Sequence, residues 1–252
     1  MSRRFDRKTN VFNPNGRITQ IEYAIKAIKN SGPAVAVIFD GGIAIATEKR
    51  TSSNLLIPSK HGDKIFKIDN HVSVVVSGLT ADANYLIEYI RKAGQNYRYE
   101  FGNEMPLEQL AETLCNLKQS YTQYGGMRPF GTSFIFVGCD KHKGFQIYTS
   151  DPSGNLGAWK AIAQGSNEEN SNNLLQEHFQ PSMAKQAALE LVTQVILQTL
   201  DSSEPDVNKI VISVLERKAP GQSDVVMNYL DKDEKAKLVE VVNQKVKAAE
   251  GN

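Results

Sequence analysis

With 252 residues, 40% of them hydrophobic and 23% charged, the chain has ordinary globular composition and enough length to bury a large core. Lysine and arginine number 29 against 28 acidic residues, a formal net charge of +1; that balance gives no electrostatic case for a nucleic-acid or membrane-surface partner, and little self-repulsion opposes assembly with other chains. Cys115 and Cys139 are too few for a disulfide framework, no Asn-x-Ser/Thr acceptor occurs, MSRRFDRKTN has no apolar signal core, and no apolar run approaches the roughly 20 residues that span a bilayer, so a soluble intracellular protein is expected.

In chain order, residues 2–10 are polar and basic, with too little apolar surface to fold alone. Asn13-Pro14-Asn15-Gly16 is a dense turn signal. Ile18, Ile21, Ile25 and Ile28 then recur at helical spacing and predict an amphipathic helix that Ser31-Gly32-Pro33 ends. Residues 34–39 and 43–47 read as a hairpin around Asp40-Gly41-Gly42, and 64–68 with 72–77 as a second strand pair around Asp69-Asn70.

Two helices follow. One covers about 81–99, with Leu86, Ile90, Ala93 and Tyr97 on one face. The other opens at Pro106, a residue suited to a first turn, and carries Leu107, Leu110, Leu114, Leu117 and Tyr121 in a heptad-like stripe for packing on a neighbouring element. Strands 132–137 and 145–149 flank a turn at 140–144, and a short strand is expected at 159–163. Helices at 168–179 and 184–200, strands at 209–216 and 224–230, and a last helix complete the chain. Asp231 caps that last helix, Asp233 and Glu234 sit near its positive end, and Leu238, Val242 and Val246 form its apolar face.

Antiparallel strand pairs alternating with helix pairs predict one α+β domain, a four-layer αββα sandwich with two sheets face to face and helices outside each. Its expected parts are a leader at 1–12, a helix at 17–30, the sandwich at 33–230 and a C-terminal helix at 231–252.

Signatures of cofactor and metal chemistry are missing: no phosphate-binding loop, no G-x-G-x-x-G, no G-x-S-x-G. His61, His71, His142 and His178 are far apart in sequence and read as surface residues, and the acids read as solvated helix faces. Neither a cofactor nor a metal is expected.

The stretch FDRKTNVFNPNGRITQIEYA, Phe5 to Ala24, resembles the N-terminal signature of proteasome alpha subunits: an aromatic-Asp pair, then Phe-x-Pro-x-Gly-Arg, then Gln-x-Glu-Tyr-Ala. SGLTADA from Ser77, RPFG from Arg128 and DPSG from Asp151 resemble internal landmarks of that family in the same order. Asn13 and Asn15 depart from the family's usual Ser/Thr and acid, yet both suit a turn.

The resemblance implies an N-terminal-nucleophile hydrolase sandwich, placed in a seven-membered ring at each end of a barrel whose inner beta rings carry the proteolytic threonines. Implied partners are other alpha subunits, beta-ring subunits, the C-termini of a regulatory particle or activator, and unfolded polypeptide passing the pore. No nucleic acid or membrane partner is implied, and the location would be cytoplasm and nucleus.

Nucleophile chemistry in such folds needs Thr, Ser or Cys as the first residue of the mature chain, with its own α-amine as base. Matching GIAIATEKR, Gly42 to Arg50, to the second strand of active beta subunits puts Gly32 at the nucleophile position, where there is no side chain and 31 residues precede it. Glu48 and Lys64 match the groups that would support a nucleophile. The expectation is a catalytically inactive assembly subunit. The alternatives are an active threonine peptidase freed by leader removal and a standalone binding module.

For single residues the resemblance implies three groups of roles. Phe5, Asp6 and Arg7 would close the substrate gate over the ring axis, with Pro14 setting the angle of the leader. Lys64, beside the backbone of Ser31 and Gly32, would line a pocket for an activator's C-terminal carboxylate, or else neutralise Asp63 or Glu48. Arg128, Pro129, Phe130 and Gly131 read either as a loop touching a ring neighbour or as an ordinary strand entry, and Tyr121 and Tyr124 as contacts to the beta ring.

Overall fold

The computed structural model describes residues 10–49, 55, 64–200, 207–219 and 224–250. The chain enters through the predicted turn, where the side-chain oxygen of Asn13 accepts the amides of Asn15 and Arg17, both at 3.0 Å. Gly16 takes a φ of +73°, which L side chains resist. Helix α1 (Thr19–Lys29) follows and buries Ile28.

Strands β1 (Ala34–Phe39) and β2 (Gly42–Glu48) form the first hairpin, and β3 (Ile65–Lys67) and β4 (Val72–Gly78) the second. Helices α2 (Thr80–Phe101) and α3 (Leu107–Gln123) lead to β5 (Thr132–Asp140), β6 (Gly144–Ser150), β7 (Leu156–Trp159) and β8 (Ala161–Gln164). Helices α4 (Glu168–His178) and α5 (Lys185–Thr199), strands β9 (Ile210–Arg217) and β10 (Val225–Tyr229), and α6 (Lys232–Glu250) end the chain. The Glu234 carboxylate accepts the Asp231 amide at 3.0 Å, the returning half of a capping box at the start of α6.

The described strands form two antiparallel sheets, ordered β10-β9-β2-β1-β8 and β3-β4-β5-β6-β7. Alternation along each strand decides what it touches. Val35 and Val37 meet the layer containing α4, α5 and α6, while Ala34 and Ala36 face the other sheet. Phe134 and Phe136 face α2 and α3, while Ile135 and Val137 face inward between the sheets. Helices, sheet, sheet, helices: the four-layer αββα sandwich is the observed architecture. Leu107, Leu110 and Leu114 of the α3 stripe pack on the second sheet, as single-chain packing requires.

One expected element is corrected. The strand predicted at 159–163 is two strands, broken at Lys160, and the halves belong to different sheets: β7 pairs with β6, and β8 with β1. Periodicity reports which residues alternate but not which sheet receives them, so a chain that crosses between sheets at a single bend reads as one strand.

Candidate functional site

Gly32 lies where the α1 loop meets β1, with β2 on one side and the start of β3 on the other. A Cβ built on Gly32 would stand 2.3 Å from a Glu48 carboxylate oxygen and 2.6 Å from the Lys64 ammonium. The ammonium donates to the Gly32 carbonyl at 2.6 Å, which ties the start of one sheet to the other. The predicted set Ser31, Gly32, Glu48 and Lys64 is therefore brought together.

Neighbouring backbone closes the corner. The Ser31 hydroxyl donates to the Ile28 carbonyl at 2.7 Å, and the Ser166 amide donates to the Ser31 carbonyl at 2.9 Å. Gly165, at φ +105°, brings its Cα so close that an added Cβ would lie 2.6 Å from the Gly32 carbonyl oxygen. The half-buried Lys64 ammonium thus sits among main-chain groups, with the Glu48 carboxylate on the other side of Gly32. The Gly32 nitrogen is an ordinary amide, and no hydroxyl or thiol stands at that position.

Phe5, Asp6 and Arg7 lie outside the described residues, as do His61 and Asp63. Pro14 is exposed in its turn, close to the point where the chain enters α1. An ion pair between Arg17 and Glu22 braces the first turns of the helix. Asn10 approaches the loop after α3, where a Cβ on Gly125 would be 3.4 Å from the Asn10 amide nitrogen.

Residues 128–131 are mostly internal. Pro129, Phe130 and Gly131 are buried within the chain, and Arg128 alone reaches the surface. Its guanidinium grips Asp82 with two bonds of 2.6 and 2.7 Å, and the same carboxylate accepts the Gly131 amide at 2.9 Å. The Arg128 bonds hold the Asp82 carboxyl below its ordinary range, against the opposing effect of burial. Phe130 packs 4.4 Å, centroid to centroid, from Tyr121, which is half-buried, whereas Tyr124 is exposed.

A family model described as "Proteasome subunit" matches residues 28–215, and the N-terminal signature of A-type proteasome subunits matches 5–27. The chain belongs to the proteasome subunit family. It is 44% identical to the alpha type-4-A proteasome subunit of Arabidopsis thaliana, over 84% of this chain and 85% of that one. It is 43% identical to the alpha type-4 subunit of Dictyostelium discoideum over 91% of both chains, and 40% to an alpha type-4-1 subunit of Oryza sativa over 95% of both.

In this member of the proteasome family two buried side chains escaped the sequence reading. Lys118 is fully buried on the inner face of α3, where its ammonium donates to the Thr132 carbonyl and the Ser150 hydroxyl, both at 2.9 Å. Its spacing from Leu107, Ala111 and Leu114 put it on the buried face, and that was the available signal. His71, expected at the surface, is 2% exposed, with Nε2 2.8 Å from the Met105 carbonyl. It ends the bend just before β4, where its carbonyl accepts the Cys139 amide at 3.1 Å and the segment at Met105 covers its ring, contacts that no local pattern announces. Among the described residues no cluster of three metal-ligating side chains forms, and no helix is long and apolar enough to cross a membrane.

Proposed function

We propose that this chain is a non-catalytic alpha-type subunit of the proteasome core, one wall segment of the outer seven-membered ring and a part of its gate. The carrying observation is Gly32: the position a nucleophile would occupy has no side chain, its nitrogen is tied into a peptide bond, and Glu48 and Lys64 take up the space. The active-peptidase alternative lacks both the attacking atom and its base. MSRRFD, YTQYGGMRPFG and SDPSGN, with the relatives named alpha type-4, support the third position of the eukaryotic ring. In that role the chain would serve ubiquitin-dependent protein degradation in cytoplasm and nucleus.

Native mass spectrometry of the complex that co-purifies with the chain tests the reading. The expected result is a multi-subunit barrel in which this chain carries no adduct after treatment with a threonine-directed inhibitor. A free monomer, or an adduct on this chain, would overturn it. Removing residues 2–10, which hold Phe5, Asp6 and Arg7, should raise basal peptide hydrolysis by the assembled particle; unchanged hydrolysis removes the gate role from this leader.

The Gly32–Lys64 corner would take the C-terminal carboxylate of a docked activator. Lys64→Ala should weaken binding of activator C-terminal peptides to the particle by about tenfold, the loss expected for one charge-assisted hydrogen bond. Equal affinity in a titration of the two particles would leave Lys64 as a purely structural tie between the sheets.

A further inference from the structure

Both β7 and β8 are edge strands, and the bend at Lys160 sets them end to end along one side of the molecule. Edge strands carry one row of backbone donors and acceptors that the sheet leaves unpaired. On β8 part of that row is capped from within: the Asn172 side chain of α4 accepts the Ala163 amide at 2.9 Å and donates to the Ala163 carbonyl at 3.1 Å. A single side chain here imitates a neighbouring strand.

Two residues earlier the cap is missing. Antiparallel pairing alternates, so the N–H and C=O of Ala161 point to the same side as those of Ala163, away from β1. The Lys160 carbonyl, of opposite parity, accepts the Ile38 amide at 2.9 Å in agreement. The two Ala161 groups have no partner among the described residues and open into a groove of about 420 Å³ between β8 and α4. Leu175 and Phe179 of α4 supply apolar wall on one side, and Trp159 closes the end. The indole is a fixed wall: its N–H donates to the Thr149 hydroxyl at 2.8 Å, and its ring lies across Gly157. Lys160, exposed at the mouth, makes no ion pair among the described residues and is the one charged residue lining the groove.

A free donor–acceptor pair, an apolar trough and one unpaired cation define an occupant. We infer that this groove receives an extended segment of a partner chain, which adds one pair of strand hydrogen bonds at Ala161. That segment sets a bulky apolar side chain among Trp159, Leu175 and Phe179 and points an acidic side chain at Lys160. Asn172 ends the added strand after that one pair, so affinity comes from the apolar anchor and the charge, and the main chain supplies the register. The inference rests on the proposed ring role for its partner, because a chain in an assembly has neighbours to supply such a segment.

The test uses the assembled particle, purified with p-benzoylphenylalanine in place of Gln176, an exposed residue at the rim of the groove. Irradiation and peptide mapping should give one crosslinked segment, with an Asp or Glu close to a large apolar residue. Ala161→Pro deletes the outward N–H and spares the bonds to β1, a substitution edge strands accept; it should lower the crosslink yield about fivefold. Lys160→Glu, which leaves the backbone untouched, should lower it about threefold. A particle that assembles with no crosslink, a crosslink to a helical segment, or yields unmoved by both variants would overturn the groove proposal alone. A chain recovered outside any assembly overturns the proposed ring role and this proposal with it.

Discussion

Gly78→Ala should cost roughly 3–5 kcal/mol, enough to deplete the folded protein at physiological temperature given an ordinary domain stability of about 5–15 kcal/mol. Gly78 ends β4 opposite Thr132, at a φ of +116°. A Cβ there would stand 2.1 Å from the Gly131 carbonyl oxygen and 3.0 Å from the Thr132 Cα. Both obstacles are backbone, so no rotamer change can clear them. The Gly131 carbonyl also accepts the Leu79 amide at 2.9 Å, and the Gly131 amide is held by Asp82, so yielding here would disturb the Arg128–Asp82 clasp as well. Gly16→Ala is the natural control. Its φ of +73° is also unfavourable, but nothing lies within 4 Å of the added carbon, so only about 1–2 kcal/mol is expected. Thermal melts of the two variants and their yield in the assembled particle would separate steric collision from backbone strain; equal losses would show that φ alone sets the cost.

This contrast bears on what the sequence could disclose. Gly16 sits in Asn-Pro-Asn-Gly, a local signal that needs no partner to be read. Gly78 is followed by Leu-Thr-Ala-Asp, and its importance comes from a strand more than fifty positions later that no local pattern announces. Element types and the four layers were legible because strand alternation and helical spacing are properties of short windows. The division of residues 156–164 between two sheets was hidden because it depends on which distant strand, β6 or β1, offers an edge.

The site divides along the same line. Gly32, Glu48 and Lys64 could be placed together only through a resemblance: the β1–β2 hairpin is a local signal, but nothing local sets Lys64, at the start of the other sheet, beside it. The loop at 128–131 shows the opposite difficulty. An Arg-Pro-Phe-Gly run before a strand suggested a surface contact as strongly as an internal one, and the internal partner of Arg128, Asp82, is an acid in the first turn of a helix, where acids are common for other reasons. Burial of Phe130 against Tyr121 and Tyr85 then follows from the clasp, which fixes where the loop lies.

Lys118 makes the second large prediction. Lys118→Ala should cost roughly 3–5 kcal/mol, since it removes a fully buried stem and leaves the Thr132 carbonyl and the Ser150 hydroxyl without their donor. Lys118→Met keeps most of the volume and the contact with the Phe134 ring but supplies no donor either, so it should cost less than the alanine, about 1–3 kcal/mol, for the unmet acceptors alone. The two variants part most clearly from the native chain in their pH dependence. Burial pushes the Lys118 ammonium down to about 7, whereas an unfolded lysine titrates near 10.4. Between those values the unfolded chain retains a proton that the folded chain has released, so raising the pH favours the folded state, and below about pH 7 the penalty no longer grows. Native stability should therefore climb from pH 7 to about pH 8.5, where the Cys115 thiol, pushed up by burial to about 11, begins to act against it, and Lys118→Met should flatten that climb. Tyr148 and Tyr229, both pushed up by burial, act in the other direction only at higher pH, when their loss of a proton in the unfolded state begins to pull the chain open. Chemical denaturation at stepped pH measures the slope directly. A slope unchanged in Lys118→Met would mean that the three oxygen acceptors around this ammonium, two main-chain carbonyls and the Ser150 hydroxyl, stabilise its charge fully against its removal from water.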